Sequence, residues 1–310
     1  MAGKTRTGNL AHAVAGVAGR QHGVISRTQL RSLGVSDSAI SARIDSGYLR
    51  PLFRGTFAVG HNAINRHAHM LAAALACGTG TVVSHGNSCE LIGLWDVRPS
   101  LVDVISPNWS GRAIEGIRWH RVRLPEGTEV EMREGVPCTS PSRTLVDMAG
   151  RCGWTSLRRL VEQAAILGLL DVDEIDRILA LGRRRGAPRL RAILNPWRGT
   201  AERRPKLRSR LEARLLPRLI SEGLPSPRCN VKLQVDGHWL EVDMLWEKQR
   251  LAIETDGEET HATPGAFQRD RWRDQLLVAN GYRTARITWM QVRDEPTAVV
   301  DRIARMLKNQ

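Results

Sequence analysis

The residues whose types and spacing could do chemistry lie in Leu240–His261, LEVDMLWEKQRLAIETDGEETH. Asp243 stands in one extended run, Glu254 and Asp256 stand two apart in the next, and His261 follows. In a strand successive side chains alternate faces, so residues two apart share a side. Leu240, Val242 and Met244 then face one way, and Glu241 and Asp243 the other. In the next run Leu251 and Ile253 face a core, while Ala252, Glu254 and Asp256 line the opposite side. Pairing the two strands gathers three carboxylates beside an apolar layer. Like charges that close repel, and a bound cation is the usual means of holding them together.

The elements that must position these groups follow from the flanking sequence. Leu207, Leu211, Leu215 and Leu219 make a helical stripe with Glu212 beside it. Arg228–Val235 reads as a strand, Asp236-Gly237 as a hairpin turn, and His238–Trp246 as the return strand. Arg250–Thr255 is a third strand, Ala266–Asn280 a helix stopped by Gly281, Tyr282–Ile287 a fourth strand and Pro296–Leu307 a closing helix. The order is α-β-β-β-α-β.

At 310 residues the chain has room for two or three domains, and its net charge of +14 favours a polyanionic partner, most simply nucleic acid. The charge is local. Residues 183–218 hold thirteen basic groups against Glu202 and Glu212, and they include Arg183, Arg184 and Arg185. Pro188, Pro196, Gly199 and Pro205 mark residues 183–205 as a basic linker, read as a phosphate-facing surface. The five cysteines (77, 89, 138, 152, 229) are odd in number and never in a CxxC pair, which excludes a disulfide framework and a zinc cluster. No apolar run has spanning length, so the expectation is a cytoplasmic protein with no membrane partner.

Near the N-terminus, Leu10, Val14 and Val17 follow helical spacing, and Val24-Ile25 makes a short extended link. Ser26 and Gln29 form a capping box, S-x-x-Q, ahead of a helix stopped by Gly34, and Ser36 caps a further helix ended by Gly47. Two short helices about a Gly-containing turn read as a helix-turn-helix, and Tyr48–Val59, with its Arg54-Gly55 turn, supplies a wing. In that arrangement the second helix enters the major groove, presenting Ser38, Ser41, Ala42 and Arg43, with Arg50 and Arg54 near phosphates. The alternative is a winged helix used for protein contacts.

The domain expectation is 1–61 winged helix-turn-helix, 62–182 central α+β region closing in helices, 183–205 linker and 206–310 a catalytic-type α/β domain. The fold class is therefore α+β multidomain. His67, His69, His85, His120 and Asp147 are scattered through the middle without metal spacing and receive no chemistry.

Two stretches resemble known families. VDMLW, LAIETDGEETH and FQRDRWRDQLLVANGYR, with the element order around them, resemble the PD-(D/E)XK nuclease fold and, more closely, bacterial domains related to very-short-patch-repair endonucleases. The resemblance spans about residues 205–310 and implies a magnesium-dependent DNA endonuclease, with Mn2+ as the substitute ion. Asp243 and Glu254 then occupy metal-ligand positions, Asp256 is an additional ligand, and His261 is the acid or base. Glu212 is a contact to metal-bound water, Arg273 reaches the scissile phosphate, and Asp270 steadies His261; Asp270 and Asp274 also read as plain helix-surface ion pairs. One departure stands out: Asp256 occupies the place of the motif Lys. The second stretch, QHGVISRTQLRSLGVSDSAISARIDSGYLRPLFRGTFAVG, is similar to the winged-helix domain of AbiEi-type antitoxins, and GVPCTSPSRTLVDMAG continues that likeness. It implies a DNA-binding autorepressor with a cognate toxin or other protein partner. The alternative function is thus an antitoxin-like repressor whose nuclease-like domain is inactive and serves as a DNA or protein clamp.

Overall fold

The structure is a computed structural model that describes residues 2–60, 64–95, 99–107, 113–198, 207, 209–256 and 264–308, without the side chains of 2–9 and 264–270. The chain divides into two compact units, residues 1–151 and 152–310.

The first unit begins with α1 (Ala2–Gly19), β1 (Val24–Ser26), α2 (Arg27–Ser32), α3 (Asp37–Asp45), β2 (Leu49–Phe53) and β3 (Thr56–Val59). The strands form an antiparallel sheet in the order β1-β3-β2. Ser26 and Gln29 close a reciprocal capping box at the start of α2, and Ser36 accepts the Ala39 N–H at the start of α3. Both devices satisfy donors that a helix N-terminus otherwise leaves bare. Val14, Ile25, Leu30, Ile40, Leu49 and Phe57 form the core of this layer.

Next come α4 (Arg66–Ala76), β4 (Val82–Val83), α5 (His85–Leu91), β5 (Val102–Ile105), β6 (Ile117–Trp119), β7 (Val130–Arg133), β8 (Val136–Thr139) and α6 (Pro141–Ala149). They build a five-stranded mixed sheet in the order β6-β5-β4-β8-β7. Arg143 of α6 is fully buried, and its guanidinium bonds the Glu129 carboxylate at 2.5 Å, Asp147 at 3.0 Å and the Arg123 carbonyl at 2.7 Å. Removing one member would strand a buried charge, so the SPSRTLVD segment is a structural staple.

The second unit holds α7 (Trp154–Ile166), α8 (Val172–Ala180), α9 (Ala187–Leu194), α10 (Arg210–Ser221), β9 (Arg228–Val235), β10 (His238–Trp246), β11 (Leu251–Asp256), α11 (Pro264–Ala279), β12 (Arg283–Thr288), α12 (Trp289–Asp294) and α13 (Pro296–Lys308). Its sheet order is β12-β11-β10-β9, with β11 and β12 parallel and the other pairs antiparallel. Parallel neighbours need a crossover, and α11 supplies it.

Three expectations are revised here. Residues 187–194 of the expected linker form α9, because Leu190 and Leu194 are wholly buried and tie that segment down. The expected central region, residues 62–182, is divided between the two units, and α7 and α8 fall in the second, where α7 packs on α10. Strict face alternation also fails. Val242 and Leu245, three apart, share one core cluster with Ala252 and Leu277 of α11. The β9–β10 register keeps its step between the pairs Val242↔Val231 and Met244↔Cys229, and Asn230 between them is left-handed at φ 51°. Leu251, Ala252 and Ile253 are each 1% exposed or less, so β11 is covered on both faces rather than one.

Candidate active site

β10 and β11 carry the acidic residues to adjacent strand positions. Their pairing ends at Met244↔Ile253, and Asp243 and Glu254 are the next residues beyond it. There the Asp243 carboxylate takes over from the ladder, accepting the Thr255 N–H at 2.7 Å and the Thr255 hydroxyl at 2.8 Å on the same oxygen, Oδ2. A carboxylate that accepts a backbone N–H in this way both ends the pairing and is fixed in direction.

Glu254 is 8% exposed, and burial, reinforced by the neighbouring Asp243 charge, pushes its carboxyl up to about 7 against the pull of Arg273 and Arg286. Arg273 of α11 donates to Glu254 Oε1 at 3.1 Å and to the Glu241 carbonyl, so the helix is pinned to two strands by one guanidinium. Glu212 of α10 is buried at 2% and accepts from Asn230 Nδ2 at 2.7 Å. The Cys229 thiol, pushed up to about 12 by burial first, also feels the charges of Glu212 and Asp243. Cys229 and Asn230 therefore link the two acids, and Glu212 joins the site by way of β9.

Asp256 takes a different partner. Its Oδ1 lies 3.3 Å from Arg286 Nη1, and Arg286 reaches Asp274 through Nε at 3.3 Å. Arg286 stands opposite Glu254 in the parallel register of β11 and β12. Among the described residues no group of three or more His, Cys, Asp or Glu side chains is arranged to hold a metal ion. Of the three carboxylates expected to converge, Asp243 and Glu254 lie beside each other at the end of the β10–β11 pairing, while Asp256 is drawn into an ion pair with the Arg286 guanidinium. His261 and the side chain of Asp270 lie outside the described residues. Sequence reasoning missed Arg286, Thr255 and Asn230. Only the strand register places them beside the acids, and no local spacing signals it.

In the first unit Ser38 and Ser41 are exposed on α3, as is Arg54 at the turn joining β2 to β3. Arg43 folds back on the Ala39 carbonyl at 3.0 Å, and Arg50 on the Gly60 carbonyl at 3.3 Å. Both donate to backbone in this state. Arg27 and Arg31 of α2, absent from the sequence-based set, line a cleft of about 890 Å³ together with Arg54. They converge on Asp37 at 2.9 and 2.6 Å, and Arg31 holds its carboxyl below the usual range. In the second unit Arg183 and Arg185 are exposed and Arg184 half-buried, just ahead of α9. All five cysteines are free, and no described helix is long and apolar enough to cross a membrane.

Comparison with known proteins matches both ends of the chain. The uncharacterised proteins MT2308 and Rv2248, from two strains of Mycobacterium tuberculosis, are each 29% identical over 243 residues, covering 74% of this chain and 82% of theirs. The solved structure of the RV2827C protein from Mycobacterium tuberculosis aligns at 19% identity with a TM-score of 0.41, over 61% of this chain and 78% of its own. A family described as transcriptional regulator, AbiEi antitoxin, matches residues 13–60, and the restriction-endonuclease-like family REase_MTES_1575 matches residues 217–307, which contain Asp243 and Glu254.

Proposed function

We propose that this protein binds DNA through an N-terminal winged helix-turn-helix and hydrolyses phosphodiester bonds in a C-terminal PD-(D/E)XK-type αβββαβ domain that works with Mg2+. The observation that carries this reading is Glu254, buried beside Asp243 and held above the usual carboxylate range by that burial even with Arg273 at 3.1 Å. Mg2+ needs only one or two carboxylates, leaving its other positions to water and phosphate, so the pair fits. Asp243 and Glu254 would hold the ion. Bound there, it supplies charge neutralisation at the phosphate and a water of lowered pKa.

The chain's own side chains do the rest. Thr255 fixes the direction of the Asp243 carboxylate, and Arg273 holds Glu254 in place. Arg286 brings a guanidinium to Asp256, the position where the motif has Lys, and can orient a phosphate oxygen. His261 serves as acid or base at the leaving oxygen. Incubating the full chain with supercoiled plasmid and Mg2+ should nick or linearise it. Asp243→Ala and Glu254→Ala should each reduce the rate by at least about 100-fold. Undiminished cleavage by Asp243→Ala overturns the assignment.

A second reading is favoured by the Asp256–Arg286–Asp274 pairing, which neutralises one carboxylate of the trio. On that reading the protein is an antitoxin-like repressor in the cytoplasm, paired with a cognate toxin, and its nuclease-like domain is a clamp. Salt-sensitive DNA binding, unchanged by Asp243→Ala and unaccompanied by cleavage, selects it.

A further inference from the structure

The first unit holds another cluster of ionisable side chains, which the proposed hydrolysis does not use. Asp103 of β5 is 2% exposed, and its Oδ1 receives three donors: His120 Nε2 at 2.7 Å, Arg118 Nη1 at 3.4 Å and Arg151 Nη1 at 3.4 Å. Two segments bring them there. Arg118 stands opposite Asp103 in the β5–β6 register, His120 follows β6 by one residue, and Arg151 follows α6. The Asp103 N–H is itself held by Asn87 Oδ1 at 2.8 Å, while Nδ2 of this wholly buried amide has no partner among the described residues.

The floor of the cluster is His85. Its ring stacks on His120 with centroids 3.6 Å apart and planes at 21°, and its Nδ1 contacts the Ser84 hydroxyl at 2.9 Å. His85 is left-handed at φ 52°, a conformation that side chains other than Gly adopt rarely. Burial, then its neighbours His120, Arg151, Arg143 and Arg118, push its imidazole down to about 2, so it is a neutral ring.

The charges do not balance. Among the described residues two guanidinium groups meet one carboxylate. The Arg118 and Arg151 side chains are 38% and 40% exposed, so their heads reach solvent. Each meets Asp103 by a single long contact, whereas a guanidinium has five N–H donors in a fork suited to a phosphate. One imidazole at 2.7 Å already satisfies the carboxylate oxygen, so two converging arginines are more than its burial requires.

We propose that Arg118, Arg151 and His120 form a phosphate-binding site, with Asp103 holding the three donors in convergence and His85 as its neutral floor. The ligand is a phosphate group, carried by a DNA backbone or by a free nucleotide. The inference is independent of the carboxylate site.

The test is a titration of the full chain, labelled with 15N at histidine, followed by the ring-nitrogen NMR signals at constant ionic strength. Inorganic phosphate, adenosine 5′-monophosphate and a short duplex are added in separate arms. A saturable shift of the His120 signals is expected, weakened at least tenfold by Arg118→Gln and by Arg151→Gln, and less by Arg151→Lys. Both arginines are surface side chains, and unchanged thermal melting verifies the fold. A stronger response to the duplex assigns the phosphate to DNA, and a stronger response to the mononucleotide assigns it to a free ligand. Either supports the site. The absence of a saturable His120 response in all three arms overturns it, as does an undiminished response in the Arg118→Gln/Arg151→Gln double variant.

Discussion

Arg286 Nη1 lies 3.3 Å from Asp256 Oδ1, so the last acid of β11 carries a cation from the neighbouring strand. Parallel pairing of β11 with β12 puts Arg286 opposite Glu254, two residues before Asp256. Arg286 also reaches Asp274 at 3.3 Å, so one guanidinium serves two carboxylates.

If that cation works on phosphate, Arg286→Gln should reduce plasmid cleavage by at least about tenfold, with Arg286→Lys recovering part of it. Because Arg286 and Asp256 are each about one-third exposed, the stability change should be small, about 0–1 kcal/mol. Cleavage rates and urea midpoints separate the two effects. A large stability loss with unchanged specific activity makes the residue structural.

Glu254 predicts a pH dependence with a definite sign. The folded state keeps this proton up to about 7, whereas the ordinary value is 4.5, so the folded form binds the proton more tightly. Stability from this group is full below 4.5 and is lost as pH rises through about 7. Glu254→Gln removes that loss. Its melting advantage over the natural chain should be absent near pH 4 and reach about 2–3 kcal/mol by pH 8. Added Mg2+ should reverse the ranking at pH 8 by stabilising only the chain with an ionisable Glu254.

Asp243 serves the fold as well as the proposed reaction, and two variants distinguish these roles. Asp243→Ala removes the acceptor of the Thr255 N–H and hydroxyl and should cost about 1–3 kcal/mol in denaturant titrations. Asp243→Asn keeps an acceptor oxygen, so it should retain most of that stability while losing cleavage. Equal stability losses in both variants would mean that the charge itself holds β11.

Ser38 and Ser41 offer a test of the N-terminal segment. Both are exposed on α3, so Ser38→Glu or Ser41→Glu should leave the melting temperature within a degree or two yet weaken DNA binding at least about tenfold by repulsion from phosphates. Undiminished binding would remove α3 from the interface.

Arg143 tests the buried network. Arg143→Met should destabilise the first unit by about 3–5 kcal/mol, because Glu129 and Asp147 would keep their burial without their shared cation. Thermal or urea unfolding measures it, and a loss below about 1 kcal/mol would show that the two acids find other partners.

Local patterns were enough to locate many elements. The Ser26–Gln29 capping box, the Ser36 cap, the Asp236-Gly237 turn and the Leu211–Leu215–Leu219 stripe are each written in a few consecutive residues, and each appears in the structure. Asp243, Glu254 and Asp256 were legible as candidates for the same reason: acids two apart in apolar strands are a local signal. Local reading failed where neighbours in space are distant in sequence. The alternation rule put Val242 and Leu245 on opposite faces, but both pack in one core with Ala252 and Leu277.

What the sequence by itself determined is the order of elements, the acidic residues and the two family matches, because these depend on short-range propensity and residue identity. Only the tertiary structure decided which charges meet. Strand register gave Asp256 to Arg286 and left Asp243 beside Glu254. It also assembled Asp103, Arg118, His120 and Arg151 from β5, β6 and the end of α6, where the sequence had offered only scattered histidines. The physical reason is that burial and pairing, which set a carboxylate's charge and partner, are properties of the packed sheet and of no single stretch of chain.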